Sequence, residues 1–83
     1  MNWLVYMLEC SDNSIYTGIT NNLEERLKTH QSGYGAKYLR GRLPIKLVYK
    51  ENFINRSEAT KREIYIKKMN KKEKKNLIGL ISK

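Results

Sequence analysis

Five side chains of this 83-residue sequence have types and positions suited to chemistry. Tyr6 and Tyr16 each sit in an apolar, strand-like run, Leu4-Val5-Tyr6 and Tyr16-Thr17-Gly18, and Arg26, His30 and Glu63 follow. Each of the last three falls on the side of a predicted helix that should turn toward the core, where an unused charge is costly. Arg26 can fork onto two phosphate oxygens, which a lysine does less well. His30, the only histidine, is the side chain whose unperturbed pKa suits proton transfer near neutrality. Glu63 is a hard oxygen ligand suited to Mg²⁺ or Mn²⁺. A tyrosine titrates near about pH 10, so as a base it needs help from a metal, from Arg26 or from His30. Structural roles compete at every position. Glu63 could pair with Arg26 or a neighbouring lysine, His30 could be a packed core residue, and either tyrosine could simply fill a sheet face.

These side chains need a frame. Asn2–Cys10 and Ser14–Thr20 are rich in β-branched, aromatic and apolar residues, with the turn-forming Ser11-Asp12-Asn13 between them, so they should pair as a hairpin. Both alternating sets of the first strand are apolar, Trp3/Val5/Met7 and Leu4/Tyr6/Leu8, which predicts a central strand covered on both faces. The second strand carries Ile15/Thr17/Ile19 on one face and the more open Tyr16/Gly18/Thr20 on the other. Tyr6 and Tyr16 share a face only if paired residue numbers have an even sum. A sum of 24 is expected, with Tyr6 across from Gly18 and Leu8 across from Tyr16.

A helix capped by Asn21 or Asn22 should run to about His30, with Leu23, Leu27 and His30 in one stripe and Arg26 beside it. Residues 31–44 read as a loop with Gly33, Gly35 and Gly41, followed by a strand over about Ile45–Phe53. Asn55 and Glu58 have capping-box spacing for a helix to about Met69, on which Glu63 lies about 40° from Ala59. Asn70 and Glu73 repeat that spacing and open a last helix with a Leu77, Leu80 and Ile81 stripe. The fold class is α+β: a small three-stranded antiparallel sheet flanked by about three helices, in the order β-β-α-β-α-α.

Length and the absence of repeats predict one domain over residues 1–83, with only roughly 60–65% of the unfolded surface buried. The net charge is +9 and unevenly spread: residues 1–30 hold two basic and four acidic side chains, leaving fifteen against four in residues 31–83. Nucleic acid is therefore the leading partner, ahead of an anionic membrane or protein. Cys10 is the only cysteine, which excludes an internal disulfide and a cysteine-rich zinc site and fits a reducing cytosol. The apolar run Trp3 to Leu8 falls far short of the roughly 18 residues of a membrane span and lacks signal-peptide flanks.

In this order and spacing the residues resemble the GIY-YIG nuclease superfamily, and most closely its small single-domain, YhbQ-like branch. Leu4-Val5-Tyr6 and Tyr16-Thr17-Gly18 correspond to the two half-motifs, and Arg26 with His30 to the helix signature. Ser57-Glu58-Ala59…Glu63…Lys67 is similar to the metal-site helix, and Gly33…Lys37-Tyr38…Gly41-Arg42…Pro44 to the connecting loop. Leu4 stands where glycine is usual and Thr17 where isoleucine is. Lys75 occupies the position of a frequent asparagine, for which Asn70 or Asn76 could substitute.

The resemblance implies a divalent-metal-dependent DNA endonuclease, or a structure-selective nuclease of repair or recombination, holding one Mg²⁺ or Mn²⁺ on Glu63. One tyrosine is then the base, Tyr6 in the family's pattern, and the other orients water or phosphate, with the reverse assignment as the alternative; Arg26 and His30 act beside them. Gly18 leaves room for phosphate to approach. Lys37, Tyr38, Arg40, Arg42, Lys67, Lys71 and Lys74 contact nucleic acid, with DNA expected and RNA as the other candidate. A cytoplasmic, nucleoid-associated protein is implied, with specificity supplied by a protein partner. The competing reading is a nucleic-acid-binding module whose nuclease site is weak or silent. On the nuclease reading, Glu63 and Arg26 should converge on the Tyr6/Tyr16 face with His30 alongside, and Glu63 on the opposite side of the sheet from Tyr6 would count against that reading.

Overall fold

The computed structural model describes residues 2–81, with the side chain of Ile81 outside the description. Strands β1 (Trp3–Cys10) and β2 (Ile15–Thr20) lead into helix α1 (Leu23–Gln31) and a 3-10 turn (Lys37–Leu39); β3 (Ile45–Phe53), α2 (Arg56–Lys67) and α3 (Lys71–Ile81) follow. The sheet is antiparallel in the order β2-β1-β3, so β1 is central and β2 is an edge.

The hairpin has the expected register, with Tyr6 opposite Gly18 and Leu8 opposite Tyr16. Its turn is set by two residues. Asp12 Oδ1 accepts from the Ser14 backbone N–H at 3.0 Å, and Asn13 takes a φ of 68°, a left-handed conformation that asparagine tolerates. On β3, a bulge at Val48 lets Tyr49 pair with Met7 and Leu47 with Leu8.

Because β1 lies between its neighbours and between two helical layers, its side chains divide into two cores. Val5 and Met7 pack with Tyr49, Ala59 and Ile66, covered by α2 and the Leu77/Ile78 part of α3. Tyr6 and Leu8 pack with Leu39 and Ile45, covered by Leu23 and Leu27 of α1. Full burial of each large apolar side chain contributes about 1.5–3 kcal/mol. The caps follow the sequence. Asn22 Oδ1 accepts from Glu25 N–H, Asn55 Oδ1 from Glu58 N–H, and Asn70 and Glu73 bond each other's backbone reciprocally.

Two expectations need correcting. Helix α2 ends at Lys67 with Lys68 as its cap, because 3-10-type bonds from Lys68 and Met69 to the carbonyls three residues back close the last turn. On α3 the packed residues are Leu77 and Ile78, while Leu80 is 76% exposed; the Ile81 part of the expected stripe lies outside the described residues. Among the described residues no helix is long and apolar enough to cross a membrane.

Thr17 lies across from Met7 on the α2 face, 3% exposed, and its hydroxyl has no hydrogen-bond partner among the described residues. An unsatisfied buried hydroxyl costs about 1–3 kcal/mol. Thr17→Val, which keeps the shape, should raise stability by about 1 kcal/mol in urea unfolding; an unchanged or lower midpoint would mean that the hydroxyl is satisfied.

Candidate active site

The hairpin register and α1 together bring Tyr6, Tyr16 and His30 into one cluster. Ring centroids are 6.3 Å apart for Tyr6 and Tyr16, 6.1 Å for Tyr6 and His30, and 5.6 Å for Tyr16 and His30. Gly18 is the close-approach position. A Cβ there would lie 2.7 Å from Tyr6 Oη and 3.0 Å from Tyr16 Cε2. The space expected to admit a phosphate is filled by the tyrosines themselves.

His30, in the last turn of α1, is wholly buried. Its Nδ1 accepts from the Ala36 backbone N–H at 3.2 Å, and its Nε2 is 2.8 Å from Tyr6 Oη. An amide N–H can only donate, so the proton of the neutral ring sits on Nε2 and is donated to Tyr6. Gly35 permits this arrangement, since a Cβ there would overlap His30 Nδ1. Sequence reasoning gives Gly35 only as a loop residue and misses the Ala36 amide. Two small residues five and six positions beyond a histidine are the available signal.

Burial, and secondarily Arg26, hold the His30 imidazole below its ordinary pKa of 6.5, in keeping with a neutral ring. Burial, and then the neighbouring Tyr16, push Tyr6 up to about 12; hydrogen bonding and positive charge from Arg26 oppose that rise. Arg26 thus belongs to the cluster. With both nitrogens engaged, His30 holds Tyr6 in place.

Glu63 lies on the other layer. Helix α2 packs on the Val5/Met7 face, opposite Tyr6, so the expectation of one shared face is not met. The rotation of α2 decides which way Glu63 points. With Ala59 at zero, Ile66 lies near about −20° and Arg62 near about −60°, whereas Glu63 is near about 40° and Lys67 near about 80°. Arg62 pairs with Glu51 of β3 at 3.0 Å, so the Glu63–Lys67 side turns toward the free edge of β2. There the Glu63 carboxylate, 18% exposed, lies 3.6 Å from Lys67 Nζ. Among the described residues no ion pair joins Glu63 to Arg26.

An open cavity of about 390 Å³ straddles that edge, lined by Ile15, Tyr16 and Thr17 of β2, Tyr38, Lys67 and Lys74. Tyr16 from the tyrosine cluster and Lys67 of α2 both line it, and Glu63 is paired to that lysine from outside the lining. Tyr6 is 1% exposed, behind Tyr16. Among the described residues no three His, Cys, Asp or Glu side chains group together. Glu63 is a single half-buried carboxylate whose partner is an exposed lysine. That donor chemistry fits one hard cation completed by water and phosphate oxygens.

The other expected binding residues divide. Lys37, Arg40 and Lys71 are exposed. Arg42 is engaged internally: its Nε donates to Asp12 at 3.0 Å, its Nη1 to the Tyr38 carbonyl at 2.8 Å, and its guanidinium lies 4.1 Å from the Tyr38 ring centroid. Asn70 is committed to the α3 cap, whereas Asn76, next to Lys75, is exposed.

Two predictions test the cluster. Gly18→Ala should destabilise the fold by about 1–3 kcal/mol in urea unfolding, because the tyrosine rings must give way; no change would mean that they move freely. The second concerns acid. The unfolded chain binds the His30 proton with ordinary affinity and the folded chain more weakly, so unfolding takes up a proton. Stability should therefore be full above pH 6.5 and fall as pH drops below it, a slope absent in His30→Gln. Equal slopes in both proteins would contradict the buried neutral ring.

Known proteins resemble this chain in sequence and fold. Residues 2–76 match the GIY-YIG catalytic domain. A UPF0213 protein of Clostridium perfringens is 59% identical over 79 residues, 95% of this chain and 84% of that protein. The solution NMR structure of a UPF0213 protein from Bacillus halodurans is 45% identical, with a TM-score of 0.63 over 96% of this chain and 85% of that one. That of a protein from E. faecalis is 40% identical, with a TM-score of 0.69 over 99% and 88%. The chain therefore belongs to the GIY-YIG nuclease family, among its small UPF0213-type members.

Proposed function

We propose that the chain is a single-domain, divalent-metal-dependent endonuclease that hydrolyses phosphodiester bonds in DNA at the free edge of β2. The observation that carries this reading is the cavity lined by Tyr16, Lys67 and Lys74, with Lys67 paired to Glu63. Phosphodiester hydrolysis needs an oriented water, an acceptor for its proton and positive charge around the phosphorane-like transition state.

Tyr16 takes the proton of the attacking water on its phenolate oxygen, since it lines the cavity while Tyr6 is enclosed behind it. Tyr6, with a pKa pushed up to about 12, keeps its proton at neutral pH. Held by His30, it fixes the position of Tyr16. This reverses the roles implied by resemblance alone. Arg26, Lys67 and Lys74 supply positive charge toward phosphate oxygens. Glu63 would hold one Mg²⁺ or Mn²⁺, which when bound supplies Lewis-acid stabilisation of the phosphoryl oxygens.

A weak or silent site in a nucleic-acid-binding module is the second reading. It is favoured by α2, which carries Glu63, packing on the sheet face opposite Tyr6, by Asn70 being used as a cap and by Lys75 lying exposed on α3.

Two variants separate binding from chemistry. Glu63→Gln should lower Mg²⁺- or Mn²⁺-dependent cleavage of supercoiled and oligonucleotide DNA by about two orders of magnitude or more. Binding should be kept or strengthened, because a negative charge near phosphate is gone. Neutralising Lys71, Lys72, Lys74 and Lys75 together should weaken binding and flatten its salt dependence, by about 0.9 in log–log slope for each duplex phosphate that is no longer neutralised. Equal cleavage by wild type and Glu63→Gln would contradict the assignment; binding with no cleavage by wild type would favour the silent site.

A further inference from the structure

We propose that the cavity at the β2 edge accepts one unpaired nucleotide, its base stacked on Tyr38 and its phosphate held by Lys67 and Lys74, so that single-stranded or locally unwound DNA is the preferred substrate class. The inference deepens the nuclease reading and rests on it for DNA being the polymer.

Two observations carry it. The first is size and lining: about 390 Å³ lies at the small end of the roughly 300–1,000 Å³ of ligand pockets, and its walls combine two aromatic rings with two lysines. Phosphate charge and a base π-face therefore have complementary groups in one concavity. In a duplex the base faces are stacked on each other, and only an unstacked base can offer its face to a side chain.

The second is that Tyr38 is held ready. It is 41% exposed, yet its ring lies 6.0 Å from that of Tyr16 and beneath the Arg42 guanidinium at 4.1 Å. Arg42 is in turn fixed by Asp12 and by the Tyr38 carbonyl. The exposed Tyr34 and Tyr65 line no part of this cavity. A ring held in place loses little freedom on stacking.

The test is fluorescence anisotropy without divalent metal, comparing a short labelled single-stranded oligodeoxynucleotide with its blunt duplex at equal ionic strength. Wild type should bind the single strand about 10-fold more tightly per nucleotide, the scale of one base–aromatic stack. Tyr38→Ala should weaken single-strand binding by about 10-fold and duplex binding by less than about 2-fold, and Tyr38→Phe should restore the preference. Equal affinity of wild type for the two DNAs overturns the proposal without any variant. An equal loss on both DNAs in Tyr38→Ala overturns it as well. Cleavage of the same DNAs with Mg²⁺ or Mn²⁺ is read separately. Selective binding without cleavage upholds the nucleotide site and removes the nuclease reading, whereas cleavage without selective binding does the reverse.

Discussion

The buried imidazole of His30 is the constraint on which the site depends. A polar ring with no exposed surface must have both nitrogens satisfied, and here each has one partner, the Ala36 amide and the Tyr6 hydroxyl. Those two bonds fix three elements relative to one another: α1 through His30, the central strand through Tyr6, and the loop after α1 through Ala36. They also explain two glycines. Gly35 lets the loop backbone lie against the ring, and Gly18 lets the edge strand lie against the tyrosine that the ring holds. The loop then continues into the 3-10 turn that buries Leu39 and places Tyr38 beside Tyr16.

The topology leaves the edge of β2 as the meeting place. With β1 covered on both faces, no side chain of α2 can approach Tyr6 through the sheet. Tyr16, on the edge strand, is the member of the tyrosine cluster that can be reached around its rim. The same rim receives Lys67 and Lys74 from the opposite layer. Charged side chains at an open strand edge also discourage pairing with another chain, so these lysines have a structural use alongside the proposed one. A domain this small gains a concave surface from an uncovered edge.

Much of this is legible in the sequence, and what is not has definite causes. The doubly apolar pattern of Trp3–Leu8 demands a central strand, and the Asp12-Asn13 turn with two tyrosines ten residues apart points to a register sum of 24. The three asparagine caps are visible as spacing, and each is made. Glu63 has the expected angle on its helix but lies on the other layer, because periodicity gives an angle around an axis and not the face of the sheet on which that axis lies. Leu80 is outside for the related reason that a short last helix has apolar residues on more than one side, and tertiary contact chooses among them. Gly18 has the expected property, absence of a side chain, but tyrosine rings rather than phosphate occupy the space. The role of Arg42 is not legible, because its partner Asp12 is thirty residues away and nothing local distinguishes an engaged guanidinium from a free one.

The most direct test of this account is the protonation state of the single histidine. With only one imidazole in the chain, long-range ¹H–¹⁵N correlation spectra report the tautomer of His30 without assignment ambiguity. At neutral pH the account predicts a neutral ring with its proton on Nε2 and a bare Nδ1, and an Ala36 amide protected from exchange. An imidazolium, or a neutral ring protonated on Nδ1, would contradict it, because the Ala36 amide would then have no acceptor and Tyr6 would not receive the bond that holds it.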